Sequence, residues 1–219
     1  MENIILIGSG GCMREIVWQI QELNKLTPTW NIEGYIDVAA PSNSRGIMVG
    51  AEEIPYLGTD EWLQNCHRAC NVAICVGNLY LRKKIAQKLS GNPHLCFPNV
   101  ILNNVAICED ARLGIGCILC SDTKISTHVE IGDFVFINME SMICHDGIIG
   151  DYVTLSPAVK IAGNVCIHNN CEIGMGARVK QGITIGQDTT IGAGAVVVKN
   201  VEPGIVAVGV PARPIKRGV

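Results

Sequence analysis

No stretch of this chain stays apolar for the ~18 residues that a membrane-spanning helix needs. The first apolar run, "IILIGSG", is too short and too early for a secretory signal, and no basic segment precedes it. These absences lead to the expectation of a cytoplasmic protein without a membrane span. Long runs of one charge are also missing, and the net charge is −3, so nucleic acid is not an expected partner. There is no disulfide framework either. The eleven cysteines are odd in number and irregular in spacing, which makes reduced thiols the default. Two close pairs, Cys66/Cys70 and Cys117/Cys120, lack the second half of a zinc site. Small buried thiols are expected there, and no metal.

What is present divides near Pro98. Residues 1–98 alternate between strand and helix patterns. "NIILIGSGG" is an apolar run ending in glycines, and "MREIVWQIQELN" follows with Ile16, Val17, Ile20 and Leu23 at helical spacing. "NIEGYIDV" and "NVAICVGN" read as further strands, and "LRKKIAQKLS" as a basic amphipathic helix. This alternation predicts a parallel sheet of Rossmann-like type.

From residue 99 the rhythm changes. Every sixth residue from Ile101 to Val197 is Ile, Leu or Val, and no insertion breaks the phase. Two positions earlier, from Val105 to Ala195, most residues are small or β-branched. A six-residue period is the signature of a parallel β-helix. The aliphatic residue points into the prism, and the small one fits a corner. Three hexads make one coil, so residues eighteen apart stack on successive rungs ~4.8 Å apart. Gly114, Gly132, Gly150, Gly174, Gly186 and Gly192 follow aliphatic positions, and they are expected to serve turns in which φ goes positive.

His145 and Asp146 interrupt this pattern in "SMICHDGIIGD". His145 stands two positions beyond the inward Ile143, in a turn, so a core histidine is excluded and an exposed surface histidine is the alternative. Imidazole titrates near ~6.5 and suits a general base at neutral pH. A neighbouring carboxylate can hold its tautomer, and Asp146 is the candidate. Cys144 is not expected to be a nucleophile, because neighbours in an extended segment face opposite ways. Eighteen residues after His145 comes Gly163, whose N–H is a candidate oxyanion donor. Met175 and Ala193, Gly176 and Gly194, and Ala177 and Ala195 also differ by eighteen. They are expected to form, with Gly163, one ladder of small residues along one edge of the prism. The alternative is that small residues merely suit tight coils.

The hexapeptide rows resemble those of the left-handed β-helix acyltransferases. The resemblance is closer to a branch that joins a Rossmann-like domain to the β-helix and acetylates sugars. It includes sialic-acid O-acetyltransferases and N-acetyltransferases of nucleotide-linked 4-amino sugars in bacterial glycan synthesis. Its carriers are "IGSGGCMREI", "VGNLYLRKKI", "CHDGIIGDYVTLSPAVKIAG" and "GAGAVVVKNVEPGIVAVGVPARPIK". The resemblance implies a left-handed coil, His145 as general base, and either Asp or Glu at position 146. It implies acetyl-CoA as co-substrate, in a groove between neighbouring subunits that would contain Gly163, Met175, Gly176, Ala177, Ala193 and Gly194. It also implies a homotrimer, since the groove is completed by a neighbour. Arg213, Lys216 and Arg217 are candidates for the CoA phosphates. Many members carry a second histidine nine residues after the base, where this chain has Thr154, still expected among the acceptor's contacts.

Gly8, Ser9, Gly10 and Gly11 lie between an apolar strand and a helix, where backbone N–H groups can face phosphate. The G-x-G-x-x-G pattern is incomplete, because Met13 stands where the third glycine would be. Asp37 at the end of the second strand is placed to accept a ribose or base hydrogen bond. Gly77 and Asn78 end the third strand on the same side. The resemblance assigns this region to the nucleotide part of the acceptor. The expected activity is therefore N-acetylation of a UDP- or GDP-linked 4-amino sugar by direct attack on the thioester. O-acetylation of sialic acid, an NAD-dependent oxidoreductase and a non-catalytic hexapeptide scaffold are the alternatives. A scaffold has no need of a His-Asp pair beside a glycine rung, and no dehydrogenase substrate domain follows the glycine loop.

Overall fold

The computed structural model describes residues 1–39 and 46–215. Chain contacts divide into two compact units, Met1–Asn103 and Asn104–Val219. Among the described residues, no helix is long and apolar enough to cross a membrane.

The first unit is a mixed sheet with helices. Its elements are β1 (Glu2–Ile7), α1 (Gly11–Leu26), β2 (Trp30–Ile36), β3 (Gly46–Val49), β4 (Glu52–Gly58), α2 (Asp60–Gln64), β5 (Cys70–Ile74), α3 (Leu79–Leu89) and β6 (Leu95–Cys96), with strand order β3-β4-β2-β1-β5-β6. α1 buries Met13, Ile16, Val17 and Ile20, one face of a 3.6-residue period. β1 runs parallel to β2 on one side and β5 on the other. The order therefore reverses at β1, the switch point where open α/β sheets form a crevice beyond the strands' carboxyl ends. The sheet is not wholly parallel, as the alternation predicted. β3 and β4 form an antiparallel hairpin about Gly50, whose φ is +62°. Neither they nor the short α2 are signalled by an apolar run.

The second unit is a parallel β-helix. Two-residue strands recur every six residues from Ala106–Ile107 to Val196–Val197. Each pairs in parallel with strands eighteen residues away, as Met142 does with Lys124 and Lys160. The aliphatic position of each strand fills the prism and is buried from Leu119 to Val197. Burying such a side chain is worth roughly 1.5–3 kcal/mol. Ile107 and Leu113, at the start of the stack, are only partly covered. Ile101 departs from the predicted inward series: it is 39% exposed and falls in the first unit. The corner residues from Cys117 to Ala195 are buried too, and the polar ones bond to carbonyls. Ser141 Oγ donates to Ser156 O at 3.1 Å, and Cys171 Sγ donates to Gly186 O at 3.1 Å. Burial pushes the Cys171 thiol up to about 11, so it stays a neutral donor at neutral pH. The stack ends with Val206–Val208, which pairs beside Thr190–Ile191 and then antiparallel with Arg213–Ile215.

The turns differ from the expectation in an instructive way. Positive φ, between +52° and +73°, occurs at every sixth residue from Gly116 to Gly194, three positions after each inward aliphatic. Most of these residues are not glycine; they include Asp146, Phe134, Tyr152 and Ala158. The glycines that directly follow the aliphatics have no positive φ. They are needed because the next coil comes too close for a side chain. A Cβ on Gly150 would stand 2.3 Å from Asn169 Oδ1, and one on Gly174 would stand 2.5 Å from the Ala193 nitrogen. We expect Gly150→Ala to destabilise the protein by about 1–3 kcal/mol through overpacking. Urea unfolding would measure it, and an unchanged midpoint would show that the coils are not in such contact.

Candidate active site

The first unit holds a cavity of ≈ 460 Å³ at the carboxyl ends of β1, β2 and β5. Gly8, Ser9, Gly10, Gly11, Asp37 and Gly77 all line it. Gly8 is required there: its φ is +112°, and a Cβ would approach the Cys75 carbonyl at 3.1 Å. Gly10 precedes α1 without a side-chain cap, and a Cβ on it would meet nothing within 4 Å. The first N–H groups of α1 are therefore left without a side-chain cap. Asp37 Oδ1 accepts the Val38 N–H at 2.6 Å. Cys12 also lines the cavity, and its burial pushes the thiol up to about 11 against the pull of Arg82.

Two parts of the cavity escaped the sequence reading. Lys84 and Lys88 of α3 line it, four residues apart on one helical face, and Lys88 pairs with Asp60 at 2.8 Å. The Lys88 hydrogen bond holds the Asp60 carboxyl below its ordinary range. The basic helix was the available signal, but its i, i+4 lysines had no visible partner. Asn78 is a correction. It does not line the cavity; its Oδ1 caps α3 by accepting the Leu81 N–H at 2.9 Å.

In the second unit His145 and Asp146 share a turn. His145 Nδ1 lies 2.8 Å from Asp146 Oδ2. The left-handed Asp146, at φ +57°, folds its carboxylate back on the preceding residue. An ionised carboxylate only accepts, so with it Nδ1 is the donor, and in a neutral imidazole Nε2 is then the acceptor. Nε2 has no hydrogen-bond partner among the described residues. Both side chains are about half exposed, at 48% and 51%. The imidazole rests on Gly163: a Cβ there would lie 2.4 Å from the ring's Cε1 and 2.5 Å from Nε2. The ring thus occupies the space that a side chain at 163 would fill. The Gly163 N–H has no acceptor among the described residues.

The expected single ladder is two. Asn164 donates to His145 O and Gly182 to Gly163 O, which makes one edge. Gly176 donates to Pro157 O and Gly194 to Met175 O, which makes another. Met175, Gly176, Ala193 and Gly194 belong to that second edge. The face bearing Met142, Lys160 and Arg178 separates it from His145. Gly176 and Gly194 border open space, and Met175 is 57% exposed. Ala177 is a further correction. Its side chain is buried in the prism, and its N–H and carbonyl already bond to Gly174 and Lys160. Thr154 is also buried, at 6% exposure, in a strand between Phe136 and Glu172, so its side chain does not form an open contact surface. Arg213 is exposed on the terminal hairpin, and its Nη1 donates to Ala212 O. Lys216 and Arg217 lie outside the described residues.

Comparison with known proteins fits both units. The family model described as "PglD N-terminal domain" matches residues 3–89, and that described as "Bacterial transferase hexapeptide (six repeats)" matches residues 164–199. A GDP-perosamine N-acetyltransferase of Escherichia coli O157:H7 is 37% identical over 150 residues, covering 66% of this chain and 67% of that one. The chain belongs to the hexapeptide-repeat sugar acetyltransferases. The solved acetyltransferase domain of PglB from Neisseria gonorrhoeae, in complex with acetyl coenzyme A, matches 98% of the chain and 99% of its own at 25% identity and TM-score 0.84. PerB from Caulobacter crescentus, solved with CoA and GDP-perosamine, matches 99% and 98% at 26% identity and TM-score 0.84.

In this sugar acetyltransferase, Gly163 is open to a direct test. Its φ lies outside the left-handed region, so alanine adds only the clash with the ring. We expect Gly163→Ala to displace His145 and lower acetyl transfer by about 10²-fold, as misplacement by an ångström can. The thermal midpoint should stay within a few degrees. Steady-state kinetics beside a melting curve would decide it, and wild-type turnover in the variant would refute the contact.

Proposed function

We propose that this acetyltransferase transfers the acetyl group of acetyl-CoA to the amino group of a nucleotide-linked 4-amino sugar, with His145 as general base. The observation that carries the reading is the His145–Asp146 pair at 2.8 Å, with Nε2 left free beside a side-chain-less rung at Gly163. The amine nitrogen attacks the thioester carbonyl, the N–C bond forms, and its proton passes to Nε2. The C–S bond then breaks and coenzyme A leaves as thiolate, which takes up that proton. Asp146 holds the tautomer and stabilises the imidazolium. The Gly163 N–H is the candidate donor to the carbonyl oxygen as it gains charge. The Escherichia coli and Caulobacter relatives, both associated with GDP-perosamine, favour a GDP-linked acceptor first.

The two ligands divide between the units. The glycine-lined cavity takes the nucleotide end, where α1's free N–H groups and Lys84 suit a diphosphate. The solenoid takes acetyl-CoA, along the face between the His145 edge and the Gly176–Gly194 edge, where Lys160 and Arg178 supply positive charge. A homotrimer and a cytoplasmic setting belong to the same reading; the eleven free cysteines suit a reducing compartment.

A thiol-release assay with acetyl-CoA tests the activity against GDP- and UDP-linked 4-amino sugars and free sialic acids. Turnover of sialic acid alone would move the assignment to O-acetylation. His145→Ala should keep the fold and lose ~10²–10⁴-fold in turnover, the usual contribution of a general base. Asp146→Asn should lose less, because orientation goes but the base remains. An unchanged rate in the His145 variant would sink the assignment.

Gly10→Asp tests the cavity. The new side chain enters open space, so the fold should hold, but its carboxylate would repel a diphosphate. We expect the acceptor's KM to rise about tenfold or more while acetyl-CoA affinity stays the same, the pattern of lost ground-state binding. Titration calorimetry separates the two. Loss of acetyl-CoA binding alone would reverse the division of ligands.

A further inference from the structure

We propose that Asp110 and Thr127 are positioning residues for the base: they fix the turn one rung before His145 and so aim the Asp146 carboxylate at Nδ1. The inference rests on His145 being that base.

The connection is a continuous hydrogen-bonded chain along one edge of the prism. Thr127 stands eighteen residues before His145, and His128 eighteen before Asp146. The Asp146 N–H donates to Thr127 O at 3.1 Å. Asp110 grips the same turn twice. Its Oδ2 accepts the Thr127 hydroxyl at 2.6 Å, and its Oδ1 accepts the His128 N–H at 2.9 Å. Thr127 Oγ1 also lies 3.0 Å from His128 Nδ1, and His128 Nε2 lies 3.6 Å from Asp110 Oδ2. The Thr127 hydroxyl and then the His128 N–H hold the Asp110 carboxyl down to about 2, so it is an anion throughout the neutral range.

The neighbouring edge shows why this rung needs such a clamp. There three successive turns are fixed from the rung that follows. Asp133 accepts the Ile115 N–H, Asp151 accepts the Asp133 N–H, and Asn169 accepts the Asp151 N–H, all at 2.9 Å. On the His145 edge the residue that follows is Gly163, which has no side chain to offer. It cannot have one, because the imidazole fills that space. The side-chain clamp on this edge therefore holds the turn of the preceding rung, Thr127–His128, with Asp110 reaching it from one rung earlier still. Asp110 reaches Asp146 only through the Thr127–His128 backbone, so it acts on orientation and not on the reacting atoms.

The test is a set of double-mutant cycles in the acetyl-transfer assay. Thr127→Val removes the hydroxyl at constant shape, and Thr127→Ser retains it. Asp110→Ala removes the carboxylate. Each is made alone and in an Asp146→Ala background, with His145→Ala as control and a melting curve for every variant. Thr127→Val and Asp110→Ala should lower kcat about tenfold with the KM for acetyl-CoA unchanged, and Thr127→Ser should keep the rate. In the Asp146→Ala background neither should lower kcat further, since both act through that carboxylate. Wild-type kcat in Thr127→Val, with His145→Ala inactive, overturns the proposal and leaves the base assignment standing. Losses that multiply in the Asp146→Ala background overturn it too. Full activity in His145→Ala would remove the base assignment and this proposal with it.

Discussion

The eighteen-residue register of the solenoid governs everything in the second unit. Each coil bonds to the one before and the one after through parallel ladders, and no insertion shifts the phase. A side chain's neighbours along an edge are therefore known once its number is known. Gly163 lies against His145 for that reason, and Thr127 lies on the other side of it for the same reason. A repetitive scaffold of this kind has few places where chemistry can be concentrated. The His145–Asp146 turn arises where one rung gives up its side chain so that the rung before can use the space.

Much of this could be read from the sequence. The hexad phase predicted the β-helix and its inward residues, because aliphatic burial at fixed spacing leaves an unambiguous trace. The same arithmetic put Gly163 one rung after His145, and the structure has it against the imidazole. The arithmetic was misapplied to the small residues. Pairs such as Gly176 and Gly194 do differ by eighteen, but neither differs from His145 by a multiple of eighteen, so they belong to another edge. The glycines after the aliphatics were read as turn residues. Their real constraint is the closeness of the next coil, which a one-dimensional pattern does not contain. The left-handed positions carry Phe134, Tyr152 and Glu140, residue types that give no hint of positive φ.

The first unit was less transparent. β1, α1, β2, β5 and α3 follow periodicity, and the glycine loop and Asp37 meet as the switch-point rule requires. The β3–β4 hairpin leaves little trace, since Pro55 and two glutamates break its apolar character. Asn78 looked like a ligand contact because the sequence pattern put it at the end of a strand, which stops instead at Ile74. Asn78 begins a helix, and the demand of that helix for a cap took its side chain. Lys88 and Asp60 come together only through tertiary structure, twenty-eight residues apart.

The left-handed corners bear on how the solenoid comes into being. A non-glycine residue in that conformation is disfavoured by roughly 1–2 kcal/mol, and every corner from Asp122 to Asn170 holds one. A single coil has no neighbour to offset that cost. A coil laid on an existing one gains a ladder and a layer of buried aliphatics at once. The kinetics should therefore be those of templated growth, with nucleation slow and propagation fast, as in other quasi-one-dimensional proteins. The chain would assemble rung upon rung, and the His145–Asp146 turn would take shape only after the coil beneath it was already in place.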